Sequence, residues 1–442
     1  MFLNFFKSSK SQKSPQELLT PIRVVLMGQH ESITVDLKKI FTESFQKYPF
    51  FAITTEDNFL GEDFLNSNNK NFFDFYDNGI KIIKKHHADV LICFYPSGTN
   101  IRFHFLTPNT YLQENPPFFS TLFALYLPIS YFQMQNLPSQ IGNLIASTCV
   151  ALSLKKDVRY EKILKKFVDD LSKNKMPEGV EKRFVPHILS FLAFNYLALR
   201  SSVFSKKDMK LILGLLNFAY QLRSDLSDGI LEGTLLVLLG QMYVCAADAK
   251  TADSYKFLER GIESIKKALK YFNKYIFPYD YGHLSFILAK LYFAYFKLQD
   301  KRQALRDAVY YMRQAQKIFT QAAFPYFWAD IEGYLGHYLM NLSFYAETKD
   351  ITEIAVQNYK NRQKVYQKQS FPILWAETEK NIADAYYYSA KNLNNAAFLT
   401  QASDHYYDAL EVFELQNNSL YVQIIENILQ KIDEKNFPSN QK

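Results

Sequence analysis

A few short stretches carry residue types that could do chemistry. Gly28-Gln29-His30-Glu31-Ser32 follows an apolar run and precedes a helical pattern, the place where nucleotide-binding turns occur. It lacks the second glycine and the lysine of a phosphate loop, and it is not GxGxxG. The start of a helix can still hold an anion. That keeps one rival function open, an enzyme or nucleotide-responsive regulator working at this first strand-to-helix turn. His30-Glu31 is not HExxH, so no zinc-protease helix begins there. His86 and His87 are neighbours on a helix, and their side chains point about 100° apart. They cannot clamp one metal together and read as a solvated pair at the helix's carboxyl end. His104 sits on one face of an alternating strand. Cys93, Cys149 and Cys245 lie far apart with no CxxC, which argues for buried free thiols in a reducing compartment rather than a disulfide or zinc framework. No nucleophile has a base at motif spacing. The residues therefore read as a protein that is not an enzyme and needs no cofactor or metal.

The elements that would position these residues fall into two styles. Ile22–Met27, Phe50–Thr54, Ala88–Tyr95 and Ile101–Leu106 are short apolar or alternating runs, read as strands. A further strand is expected within 122–132. Helical spacing fills Ser32–Lys47, with Ser32 as cap, then Phe72–His87 and Leu137–Leu154. The order β-α-β-α-β-β-β-α predicts a small α/β domain with a mixed sheet over 21–155. Residues 1–20 read as a flexible tail. Residues 156–180 read as a Lys-rich connecting helix over Asp157–Asn174 and a linker at Met176–Gly179.

From residue 181 to 435 everything reads as helix, and the pattern repeats. Phe277-Pro278, Phe324-Pro325 and Phe371-Pro372 stand 47 residues apart. Each is followed by an aromatic-small pair, Tyr281-Gly282, Trp328-Ala329 and Trp375-Ala376. Small residues recur at Ala289, Gly336 and Ala383, and again at Gly261, Ala308, Ala355 and Ala402. Large ones follow four later at Ile265, Met312, Tyr359 and Tyr406. Aromatics close the unit at Phe272, Phe319, Tyr366 and Phe413. Positions i, i+4, i+7 and i+11 share one helix face, so Ala308, Met312, Ala315 and Phe319 form a packing stripe. Proline opens a helix where a missing amide proton costs nothing. Ala193 and Gly240 extend the small-residue series backwards. The count is about five helical hairpins, with Ser419–Ile432 covering the last. Arg362 departs from Ala268, Ala315 and Ala409, which predicts a widened or edge position there.

The bulk numbers exclude other classes. A hydrophobic share of 48% and a charged share of 21% describe a folded chain. The net charge of +7 is spread along helices, which argues against a nucleic-acid surface. Aromatics make up 16%, and most are expected in packing. Met1–Phe6 places apolar residues before the lysines, the reverse of a secretory leader. The most apolar window, Phe118–Phe132, contains Pro128 and is short for a membrane span, so no stable membrane insertion is expected. A cytoplasmic location follows.

The repeats resemble tetratricopeptide repeats. Leu335-Gly336 matches the family's Leu-Gly pair, and Ala308-Met312-Ala315 and Ala402-Tyr406-Ala409 match its second-helix stripe. The Trp-Ala opening looks like a long-repeat variant found in bacterial proteins. The period is 47 rather than the usual 34, which keeps armadillo- or HEAT-like packing open. The first domain is similar to the amino-terminal domain of TolB-like proteins, which implies a non-catalytic recognition or assembly module. The fold class implied is mainly α, a solenoid of about five tetratricopeptide-like hairpins after the small α/β domain. In that family the residue after each first-helix small position faces a concave groove. Here those residues are Gln241, Lys290, His337 and Asp384. The companion positions are Asp330, Met340, Asn341, Glu377, Lys380, Tyr387 and Tyr388. Polar groups among aromatics on a rigid surface suit an extended peptide or a partner's helix, and the resemblance implies an interaction scaffold.

Overall fold

The computed structural model describes residues 21–28, 31–46, 51–56, 69–108, 123–133, 137–153, 179–200, 204–223, 229–247, 254–345 and 349–436. The expected tail, the Lys-rich helix at 157–174 and the residues around His30 lie outside them, as does all of the linker except Gly179. The described residues are mainly helical, with one small sheet among them. The chain divides into two compact units, Met1–Tyr281 and Gly282–Lys442.

The first unit opens with the sheet. Strands β1 (Ile22–Gly28), β2 (Phe51–Glu56), β3 (Val90–Ser97), β4 (Asn100–Leu106) and β5 (Leu125–Pro128) lie in the order β2-β1-β3-β4-β5. β1 runs parallel to both β2 and β3, and β3-β4 and β4-β5 are antiparallel, so the expected mixed sheet is present. Helices α1 (Glu31–Gln46) and α2 (Asn69–Lys85) make the parallel crossovers. Helix α1 starts at Glu31, so Ser32 is its second residue and not its cap. A four-residue helix, α3 (Ser130–Gln133), and then α4 (Ser139–Leu152) follow the last strand.

β4 alternates less than expected: six of its seven residues are buried. It is an interior strand, and both its faces are covered. Phe103 packs on Phe41 of α1 and Phe132 of α3, at 5.7 and 5.6 Å. From the other face Leu106 reaches toward α2, where a Cβ on Gly79 would stand 2.3 Å from it. A strand between two layers must be apolar on both sides.

Successive helices then pair. They are α5 (Val185–Arg200) with α6 (Lys206–Leu222), and α7 (Gly229–Ala247) with α8 (Ser254–Ala268). Next come α9 (Pro278–Gln299) with α10 (Arg302–Ile318), and α11 (Pro325–Ser343) with α12 (Asp350–Gln363). Then α13 (Pro372–Leu393) pairs with α14 (Ala396–Leu415), and α15 (Ser419–Asn436) comes last. The partners are antiparallel. Gly233 lies under Phe272 and Gly240 under Ile265, while Gly333 lies under Arg362 and Gly336 under Tyr359. As one number rises its partner's falls.

The repeated residues explain the pairing. Ala308, Met312, Ala315 and Phe319 are all fully buried, as are Ala402, Tyr406, Ala409 and Phe413. Helices α11 and α13 open at Pro325 and Pro372, and the preceding Phe324 and Phe371 share nearly the same backbone angles, φ −136° and −138°. Each of these phenylalanines meets the closing aromatic of the previous helix edge-on. Phe272–Phe277, Phe319–Phe324 and Tyr366–Phe371 are 5.8, 5.2 and 5.3 Å apart, the geometry that ring quadrupoles favour. α13 ends on Asn394 in the left-handed region, which closes its last turn.

Room for Arg362 comes from the facing helix. A Cβ on Gly333 would stand 2.9 Å from the Arg362 stem, so the missing side chain makes the room. The guanidinium donates to Thr378 at 2.9 Å and lies 5.1 Å from the Tyr366 ring. The most membrane-like segment differs from expectation. Among the described residues α7 alone is long and apolar enough to cross a membrane, and 61% of its apolar window is buried inside the protein. It is apolar all round because it packs on several sides, against α5, α6 and α8.

Candidate partner-binding face

The chemistry-like residues of the sheet region serve the fold. Gly28 stands where a side chain would collide with Phe94, whose ring lies 1.9 Å from an added Cβ. His104 is buried between Phe75 and Tyr95, at 6.5 and 6.0 Å. The expected solvated pair is split. His87 is exposed and left-handed, whereas the half-buried His86 bonds through Nε2 to Glu56 at 2.9 Å. Lys85 donates to the same buried carboxylate at 2.7 Å. Cys93 and Cys149 are buried, and burial pushes their thiols well above the ordinary range; Cys245 is half-buried.

Ten of the eleven predicted face residues belong to the second unit, and nine of them lie on α11 and α13. Asp384 is their centre. Its Oδ2 accepts from Lys380 one turn earlier at 2.7 Å, and its Oδ1 accepts from the Tyr406 hydroxyl at 2.6 Å. Lys380 and Asp384 are 17% and 16% exposed, so the pair is only partly solvated. The Tyr406 and Tyr359 hydroxyls are both pushed far up, first by burial and then by the charge on Asp384. His337 faces the same group. Burial, aided by Lys297 and Lys380 and opposed by Asp384, lowers its pKa to about 4. It is therefore a neutral imidazole at neutral pH, edge-on to Phe293 at 5.1 Å.

Around that centre the predicted residues sort by depth. Met340, Asn341 and Tyr387 are buried, and Asn341 spends its amide on the His337 carbonyl at 2.8 Å. Tyr388 is 41% exposed and meets Phe344 edge-on at 5.4 Å. Lys391 lies 4.6 Å from the Tyr387 ring. Glu377 meets the Tyr421 hydroxyl at 3.5 Å. Asp330 accepts from Tyr366 at 3.0 Å, and Lys290 sits against the rings of Phe286 and Tyr334 at 5.4 and 5.2 Å. Gln241 is buried in the first unit.

Sequence reasoning missed a second polar device in the same helices. Glu332 is fully buried, accepting from Gln316 on one side and from Asn361 at 3.0 Å on the other. Forty-seven residues on, buried Glu379 accepts from Gln363 at 2.7 Å and bonds His405 Nδ1 at 2.5 Å. Each carboxylate clasps the helix before it and the helix after it. Aligning Gln316 with Gln363 and Glu332 with Glu379 would have exposed the device, because polar residues repeat at the same 47-residue period as the apolar ones. Beside Glu379 stands Asp408, whose carboxyl is raised by burial and then by the Glu379 charge.

No family model matches this chain, and no curated protein matches it significantly.

Proposed function

We propose that this protein is a non-enzymatic interaction scaffold of the cytoplasm. Its helical pairs form a tetratricopeptide-like α-solenoid, and its α/β domain recognises or anchors. The solenoid holds an extended peptide or a partner's helix across the face centred on Asp384. One observation carries this reading. Lys380, Asp384 and His337 are polar groups set among Tyr387, Tyr388 and Phe293 on rigid helices, only partly solvated and within reach of the surface. Partly desolvated charges and tyrosines are what peptide recognition uses, since each contact gains strength as water leaves. No cofactor and no nucleic acid enter this function.

The test places a photo-crosslinking amino acid at Tyr388 and compares the products in cells with those from a chain also carrying Lys290→Glu and Asp384→Lys. The expected result is a discrete crosslinked protein that disappears with the charge reversals while helix content stays the same. An identical crosslink pattern in both would end the proposal. A thermal-shift screen tests the rival site at Gly28: a rise of several degrees with a nucleotide would favour a regulator instead.

A further inference from the structure

Glu379, His405 and Asp408 offer three ligand atoms, one each, that all lie within 4.8 Å of one another. Glu379 comes from α13, and His405 and Asp408 come from α14, three residues apart on one helix face. The preceding repeat shows what the fold alone requires at this spot. There the matching residues, 47 earlier, are Glu332, Asn358 and Asn361. Asn361 gives Glu332 a neutral amide proton, and Asn358 bonds the Ile354 carbonyl at 2.7 Å. One asparagine from this helix, with Gln316 from the helix before, suffices to satisfy a buried carboxylate here. In the next repeat both asparagines are replaced by metal-ligating residue types. Asp408 sets a second carboxylate where a donor stood, and His405 brings an imidazole nitrogen.

We propose that Glu379, His405 and Asp408 bind a divalent first-row metal ion, with zinc the best fit to one imidazole and two carboxylates. Such an ion takes nitrogen and carboxylate oxygen at about 2.0–2.2 Å and keeps a fourth position for water when the protein supplies three ligands. Ligands around it stand roughly 3.4 Å apart, so the Glu379–His405 contact opens slightly and the exposed Asp408 swings in. Two of the three ligands already have outer contacts that aim them. Gln363 holds the second oxygen of Glu379, and the His405 ring stacks on Tyr386 at 5.8 Å and 16°. Lys368, a cation in the neighbourhood of Asp408, is bonded to Glu411 at 2.8 Å.

The experiment uses the full chain, stripped with a chelator and titrated with zinc by calorimetry, then with cobalt(II) by visible absorption. The comparison chains are His405→Asn, Asp408→Asn and the double variant, each restoring the preceding repeat's residue. The expected result is one zinc per chain, a four-coordinate cobalt spectrum, and at least ~10-fold weaker binding in each single variant. The double variant loses the site but keeps the thermal midpoint of the metal-free protein, because asparagines serve this position in the neighbouring repeat. No heat and no cobalt spectrum, or undiminished binding in the double variant, would overturn the proposal. The second outcome would place the metal outside this cluster.

Discussion

The sheet of the first unit and the helical pairs of the second treat polar residues in opposite ways. In the sheet region Gly28 exists to clear Phe94, His104 is enclosed by rings, and Glu56 is occupied by Lys85 and His86. Each has a packing reason and is spent on it. In the second unit the buried Glu332 clasp does the same work. The Lys380–Asp384 pair, His337 and Tyr388 stand outside the stripe of small residues that joins the helices. The difference teaches that a polar residue says most about function where a neighbouring repeat shows that the fold can do without it.

The contrast can be broken hardest at the glycines. Gly28→Val in the sheet and Gly336→Val between α11 and α12 both force a side chain into a buried ring, Phe94 in one case and Tyr359 in the other. Each is expected to cost about 3 kcal/mol or more in urea unfolding. A cost under roughly 1 kcal/mol at Gly336 would mean that these helices are not closely packed.

Acid should act next, through His337. In the unfolded chain its imidazole gains a proton below its usual value near 6.5, but in the folded chain only below about 4. Between those values the unfolded state binds more protons. His337 therefore contributes stability above pH 6.5 that is lost as the pH falls toward 4, on the order of 3 kcal/mol. His337→Phe should flatten that part of the stability profile. A profile unchanged by the substitution would show that His337 is not held neutral.

The two clasps sharpen the comparison. Glu332→Leu and Glu379→Leu each leave a glutamine without its acceptor, and each should lower stability by about 2 kcal/mol. Stability alone will not separate them, and metal binding will. Asp384→Asn keeps the shape of the side chain and an acceptor for Tyr406, and should lower stability by about 1–2 kcal/mol in urea unfolding, while weakening any partner that reads its charge. Smallest of all, Lys368→Ala removes a pair that is largely solvated and should cost under about 0.5 kcal/mol by chemical denaturation.

Much of the fold was legible before any coordinates. Period-two and fully apolar runs marked the strands, and the 47-residue echo marked the helical pairs, because both are local rules of side-chain direction. The exceptions have physical causes. β4 looked half-buried because Arg102 interrupts its apolar residues, yet two layers cover it. Arg362 looked too large for its slot because Gly333, 29 residues earlier, could not be seen beneath it. The candidate face was readable only as a register, the position after each small residue. Nothing in that register said that Tyr406 would reach Asp384 or that Met340 and Asn341 would be covered.

What this sequence determined by itself was rhythm: which residues turn inward, where proline starts a helix, and how often the unit returns. Those follow from backbone geometry and the avoidance of water, which act over a few residues. Only the tertiary structure decided which distant polar groups meet. Glu379, His405 and Asp408 are up to 29 positions apart along the chain, and antiparallel helices bring them together because a small residue at each crossing lets the backbones approach.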